Sequence, residues 1–211
     1  MTTSKSIPGP AYRIHTPRLI LRCMEPKDVT MLEIAVEQSL EHLLPWMPWA
    51  KREPLQLQER IELLRQWRGN FDLGLDFGYG IFNPAKTSLL GACGLHTRLG
   101  EGAREIGYWI HKDHINQGLA NESSAALTKV AFEVDLVKRV EIHCDPKNVH
   151  SASIPRKLGF IHEATLHNRV QDSNGDLRDS MIWTLFSENY PASPAAESQI
   201  EAYDVLGRRI L

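Results

Sequence analysis

Apolar positions along the chain change their spacing several times, and each change marks an element. Arg18 to Arg22 (RLILR) is a short β-prone run behind Pro17, a residue tolerated just before a strand. From Asp28 to Leu40, the residues Met31, Leu32, Ala35, Val36 and Leu40 recur at helical spacing, with Asp28 placed to cap the start. Prolines interleaved with two tryptophans keep Leu43 to Pro54 from forming one regular helix, so this stretch reads as a rigid aromatic loop. Helical spacing returns through Leu57, Ile61, Leu64, Trp67 and Phe71, and this second helix is expected to end near Asn70.

Phe77 to Phe82, Leu89 to Thr97 and Arg104 to Ile110 are β-prone runs separated by turn signals, which predicts an antiparallel meander. Gly118 to Val134 carries Leu127, Val130, Ala131 and Val134 on one helical face. Arg139 to Cys144 is the next strand, and a short helix is expected near Ile154 to Leu158. Phe160 to Asn168 and Leu177 to Leu185 then flank a Ser173-Asn174-Gly175-Asp176 turn as a hairpin. This order is α+β and not a regular βαβ array.

The polar, Pro/Gly-containing residues 1–12 read as a flexible arm, and residues 13–187 as a single folded domain. Residues 188–211 read as a Pro/Ala/Ser linker followed by a closing helix built on Ile200, Tyr203, Val205, Leu206 and Ile210. That helix either covers its own domain or buries itself against a second copy in a homodimer.

Composition narrows the class. Hydrophobic residues at 42% and charged residues at 24% of 211 are those of an ordinary globular chain. A formal charge of -2 offers no basic field for nucleic acid or anionic membrane. Cys23, Cys93 and Cys144 are scattered and lack C-x-x-C partners, which fits a reducing compartment. The N-terminus lacks the apolar core of a signal peptide, and no run approaches the length of a membrane span. A cytoplasmic protein is the expectation.

The densest chemical signal lies in Glu105 to Glu122, EIGYWIHKDHINQGLANE, where a strand feeds a loop and then a helix. Free N–H groups at such a helix start favour an anion, and Gly118 lets the backbone approach it without a Cβ. Neither a G-x-x-x-x-G-K-[ST] run nor three spaced glycines occurs, so nucleotide hydrolysis and hydride transfer lose support. His111, His114, His143 and His150 do not form a compact ligand set, and no metal site is expected.

Four landmarks in order resemble the GNAT N-acetyltransferases, and within them the branch of ribosomal-protein N-terminal acetyltransferases. These are TPRLILR at Thr16 to Arg22, PWMPW at Pro45 to Trp49, EIGYWI with NQGLANE at Glu105 to Glu122, and N-x-x-S with KLGF at Asn148 to Phe160. The resemblance spans roughly Ile14 to Ser187. It implies a mixed, mostly antiparallel central sheet of about seven strands flanked by helices. It also implies transfer of an acetyl group from acetyl-CoA, a cosubstrate, to an amine in a ternary complex.

Carried over by position, Asn116, Gln117, Gly118, Leu119, Ala120 and Asn121 would hold the CoA pyrophosphate through backbone N–H groups. Trp109, Ile110 and His111 would lie along the pantetheine arm, with strand-end N–H groups near Ile110 stabilising the oxyanion. Gly118 and Ala120 match the family loop, whereas Ile115 and Asn116 depart from it, and Asn116 is alternatively a helix cap. Asn148 either braces the cofactor arm or orders a turn. Ser151 resembles the serine that protonates the departing thiolate, its alternative being a helix cap. Pro155 stands where many GNAT enzymes carry a tyrosine acid, and Ser153 is an alternative cap with Pro155 just inside the helix.

An acceptor amine must lose a proton before attack, and Glu105 is the candidate base, directly or through water; its alternative is a structural glutamate. Trp46 and Trp49 either wall the acceptor site or pack on the second helix. Branch resemblance favours a protein N-terminal α-amine over a small amine. A non-catalytic acyl-CoA-binding module is the competing reading.

Overall fold

A computed structural model describes residues 9–172 and 174–211. One sheet of nine strands runs through the molecule: β1 (Arg13–His15), β2 (Ile20–Arg22), β3 (Phe77–Phe82), β4 (Leu89–His96), β5 (Ala103–Ile110), β6 (Arg139–Cys144), β7 (Ile161–Gln171), β8 (Leu177–Phe186) and β9 (Glu201–Tyr203). Their spatial order is β7-β8-β6-β5-β4-β3-β2-β1-β9. Every neighbouring pair is antiparallel except β5 and β6. The mostly antiparallel sheet and flanking helices are those expected, with β1 and β9 added at one edge.

Helices cover both faces because the strands alternate their side chains. On one face α1 (Val29–Leu43) and α2 (Leu57–Asp72) bury Leu32, Val36, Leu43 and Leu64 against Ala92 and Trp109. On the other, α3 (Leu119–Glu133) and α4 (Val149–Lys157) cover Ile106, Ile110, Val140 and Ile142. Burying an apolar side chain of this size contributes about 1.5–3 kcal/mol, so these two layers dominate stability.

Several expectations change on inspection. Asp28 sits at the α1 start without capping it; its carboxylate turns back to pair with Arg22 at 2.7 and 2.8 Å and to accept the Glu25 N–H. Residues 1–8 of the expected arm, and Ser173 of the hairpin turn, lie outside the described residues. The end of that arm is fixed: the Tyr12 N–H donates to the Tyr203 carbonyl, and the buried Ala11 carbonyl accepts from the Tyr79 hydroxyl.

No closing helix forms at 200–211. Glu201 to Tyr203 instead pair antiparallel with β1, because alternating Ile200, Ala202 and Asp204 place Ala202 and Ile200 on the core side. Ile210 and Leu211 fold back to the same strand and pack on the same core. Periodicity misread this stretch because a few apolar residues spaced by two and by three fit both patterns. The segment therefore covers its own domain.

Candidate active site

β5 and β6 pair in parallel register from Ala103↔Arg139 to Ile106↔Ile142 and no further. Beyond that point β5 stays with β4 to Ile110, while β6 stays with β8 to Cys144. From Gly107 onward the two strands part, and among the described residues the edge of β5 facing β6 has no ladder partner. Main-chain groups left open inside a sheet need another partner, which a bound chain-like ligand can supply.

Ser151 and Tyr108 meet beside this opening. The Tyr108 hydroxyl lies 3.0 Å from Ser151 Oγ and 3.2 Å from the Ser151 carbonyl. Burial raises the Tyr108 pKa, so the hydroxyl keeps its proton. α4 starts at Val149 and not near Ile154, because the Asn148 side-chain oxygen caps it by accepting the Ser151 N–H at 3.0 Å. Asn148 thus caps the helix, and Ser151 Oγ takes no part in the capping.

Ser153 is not a cap, since its hydroxyl donates back to the His150 carbonyl, and Pro155 lies inside the helix. A proline there leaves the Ser151 carbonyl without its usual donor, and the Tyr108 hydroxyl occupies that place. Tyr108 was not among the expected site residues. Its signal was present in EIGYWI, where alternation puts a polar hydroxyl on the face shared with Ile106 and Ile110.

The loop before α3 is held from outside. Gly118 is the N-cap with φ of 79°, a left-handed conformation that favours glycine, and Asn116 also has positive φ at 59°. Asn116 therefore does not cap the helix. Arg18 donates to the Gln117 carbonyl at 2.9 Å and pairs with Glu122 at 2.6 Å, while Glu122 also accepts from the Thr16 hydroxyl and the Arg18 N–H. TPRLILR and NQGLANE are thus one assembly, a link that sequence spacing does not show. Among the described residues, the N–H groups of Asn116 to Asn121 donate to no protein acceptor.

Asn121 Oδ1 is buried without a partner. Gln117 is exposed and Leu119 buried. The free main-chain N–H groups of Asn116 to Asn121 and the missing Cβ of Gly118 fit a diphosphate.

Trp109 and Ile110 are buried in the cores on opposite faces. His111 is also buried. Its Nε2 lies 2.9 Å from Gln38 Oε1 and its Nδ1 accepts the Asp113 N–H, an arrangement that requires the neutral ring. Burial lowers its pKa accordingly.

A cavity of about 1080 Å³ lies at the parting strands, lined by residues of α1 and α2 and by Ser151 of α4. Trp46, Trp49, Trp67 and Trp109 line it together with Glu105, Tyr108, Asn148 and Ser151. The aromatic loop that forms one wall is tied down at both ends. Arg178 donates to the Trp46 carbonyl at 2.9 Å, and Glu53 pairs with the fully buried Arg60. Trp46 and Trp49 therefore line the cavity; the Trp49 and Trp109 rings lie 6.1 Å apart.

Glu105 lies in the cavity floor, gripped by both arms of the Arg98 guanidinium. Burial works against its charge, but the Arg98 hydrogen bond and the neighbouring His143 hold its carboxyl below the usual range. A carboxylate so stabilised is a weak proton acceptor, which weighs against the base role expected of it. Among the described residues no cluster of three or more His, Cys, Asp or Glu side chains could hold a metal, and no helix is long and apolar enough to cross a membrane.

A model of the acetyltransferase (GNAT) domain family matches residues 18–161. The chain belongs to the GNAT acetyltransferase family. This N-acetyltransferase is 28% identical over 176 residues to YdaF of Bacillus subtilis, a candidate ribosomal N-acetyltransferase, covering 82% of this chain and 93% of that protein. It is 23% identical over 186 residues to the ribosomal protein uS5-alanine N-acetyltransferase of Escherichia coli, covering 86% and 94%. Mycobacterium smegmatis RimJ, solved with CoA-disulfide, superposes with a TM-score of 0.77 at 20% identity, covering 90% of this chain and 95% of that one. At that identity the last likeness speaks for the fold.

Proposed function

We propose that this GNAT enzyme passes the acetyl group of acetyl-CoA to a protein N-terminal α-amine, by direct attack in a ternary complex. The observation that carries the reading is the parting of β5 and β6 at Gly107, with unpaired N–H groups at the α3 start on one side and an aromatic cavity on the other. Such an opening lets donor and acceptor meet from opposite faces of the sheet without a covalent enzyme intermediate. Asn116 to Asn121 hold the diphosphate, and the β5 main chain from Trp109 to His111 runs along the pantetheine arm.

Ser151 is the proton donor to the leaving thiolate, its hydroxyl placed by Tyr108 and by the Asn148 cap. Main-chain N–H groups near Ile110 stabilise negative charge growing on the acyl oxygen; an oxyanion donor of this kind is worth about 2.7–4 kcal/mol. Trp46 and Trp49 form the acceptor wall, and Glu105 supplies negative charge that draws in an ammonium. The relatives' names, a ribosomal N-acetyltransferase candidate and a uS5-alanine N-acetyltransferase, support a protein N-terminus over a small amine.

The test is thiol release from acetyl-CoA with peptides beginning in Ser, Ala or Met, run beside small amines. Turnover on a peptide is expected. Turnover on small amines alone would reassign the acceptor, and CoA binding with no turnover on any amine would favour a non-catalytic acyl-CoA-binding module.

A further inference from the structure

Removing a proton from the acceptor requires a base on the cavity side of the sheet, and Glu105 is committed to Arg98. We propose that His96, oriented by Asp76, is the general base that takes the proton from the attacking amine. The inference rests on the reading of the cleft as an amine-acetylating site.

His96 ends β4, and its Nδ1 lies 2.9 and 3.1 Å from the two carboxylate oxygens of Asp76. Asp76 is itself fixed by the Thr97 N–H at 3.3 Å. Burial works against its charge, but the hydrogen bond and charge of His96 hold its carboxyl below the ordinary range. A carboxylate on Nδ1 assigns the proton of the neutral ring to that nitrogen and leaves the Nε2 lone pair open. Among the described residues Nε2 has no hydrogen-bond partner.

Space for this ring is built into the sheet. Gly78, Gly94 and Gly107 are register partners across β3, β4 and β5, a row of three positions with no side chain. A Cβ on Gly94 would stand 2.8 Å from His96 Nε2, and one on Gly107 3.2 Å away. The ring therefore lies over both glycines, and Nε2 sits above Gly107, the first β5 residue past the last β5–β6 pair. This is where the strands open, and His96 lines the same cavity as Ser151.

The other candidates are occupied. His143 holds Glu141 at 2.7 Å through Nε2 and faces Glu105 at 3.7 Å through Nδ1. Charged or titratable groups that line the cavity together with His96 include Asp76 before β3, Arg98 after β4, Glu105 on β5, His143 on β6, and Glu59 and Glu62 of α2. A carboxylate-oriented imidazole with one free nitrogen is the arrangement of a general base.

The step balances. The ammonium gives one proton to His96 Nε2, and the freed nitrogen pair forms the C–N bond. The C–S bond breaks with its electrons on sulfur, and the Ser151 hydroxyl gives that sulfur a proton while taking one from the nitrogen. The imidazolium then releases its proton to water.

The experiment compares His96→Gln, Asp76→Asn and the unaltered protein in steady-state acetylation of an accepted peptide across pH, with CoA affinity measured by calorimetry. Glutamine keeps a donor for Asp76 and cannot take a proton. His96→Gln is expected to lower kcat by about 100-fold or more with CoA affinity unchanged. It should also abolish the fall in rate that acid causes in the unaltered protein. Asp76→Asn should lower kcat and displace that fall along the pH axis, a readout that stands if His96→Gln folds poorly. Retention of kcat within a few-fold by both variants, with the acid fall intact, overturns the role of His96 while leaving acetyl transfer in place. Absence of turnover in the unaltered protein on every amine, with CoA bound, overturns both.

Discussion

The wall of the aromatic cavity rests on a buried ion pair, and removing one half of it should destabilise the whole domain. Arg60, in the first turns of α2, is 1% exposed at its side chain and donates to Glu53 at 2.7 and 3.2 Å; Glu53 is 4% exposed and also accepts the Leu55 N–H. Arg60→Leu leaves the Glu53 carboxylate without its cation in a site that water barely reaches. Breaking such a pair costs about 3–5 kcal/mol. Total stability for a domain is about 5–15 kcal/mol, and a protein of this size loses about 2–4 °C of Tm per kcal/mol, so the melting point should fall by about 6–20 °C.

The assay is urea unfolding followed by circular dichroism and by tryptophan fluorescence, since Trp46 and Trp49 lie on the supported loop. Arg60→Leu with Glu53→Gln removes both charges and keeps an acceptor for the Leu55 N–H, so the double variant should regain at least half of the loss. A single variant within about 1 kcal/mol of the parent, or a double variant no better than the single, would show that the pair does not carry the wall.

Three further outcomes follow from the same geometry. Ser151→Ala should lower kcat by about 100-fold with little change in CoA affinity, and Tyr108→Phe, which frees the Ser151 carbonyl inside α4, should cost about 1–3 kcal/mol of stability as well as rate. Gly118→Ala forces a Cβ into a left-handed backbone at about 1–2 kcal/mol and should weaken CoA binding in a calorimetric titration, whereas unchanged affinity would remove this loop from the diphosphate site. Burial holds His111 below the ordinary histidine value of 6.5, so the unfolded chain binds the extra proton first. Stability from this residue is present above about pH 6.5 and declines as pH falls through that value; His111→Gln should reduce the difference in urea midpoint between about pH 7.5 and about pH 5.5.

Much of this protein was legible in the chain because local pattern and global fold agree. The meander from Phe77 to Ile110 and the strand Arg139 to Cys144 stand where alternation and turn residues put them, and α3 begins immediately after Gly118. The start of α4 was missed because its cap, Asn148, lies within a polar run that reads as a loop, while Pro155 drew the expected boundary toward itself. The terminal segment was misread because a three-residue edge strand has too few positions to establish a period.

The sequence by itself determined the family, the mostly antiparallel sheet and the helix start at Gly118, since each depends on spacing within a short stretch of backbone. Tertiary structure alone decided which charges are free to act. Glu105 reads as an available carboxylate until Arg98 closes on it, and His96 reads as an ordinary strand residue until Asp76 takes one of its nitrogens and two glycines, Gly94 and Gly107, clear room for the ring. Proton affinity depends on burial and on partners distant in sequence, and those are set only when the strands have been brought side by side.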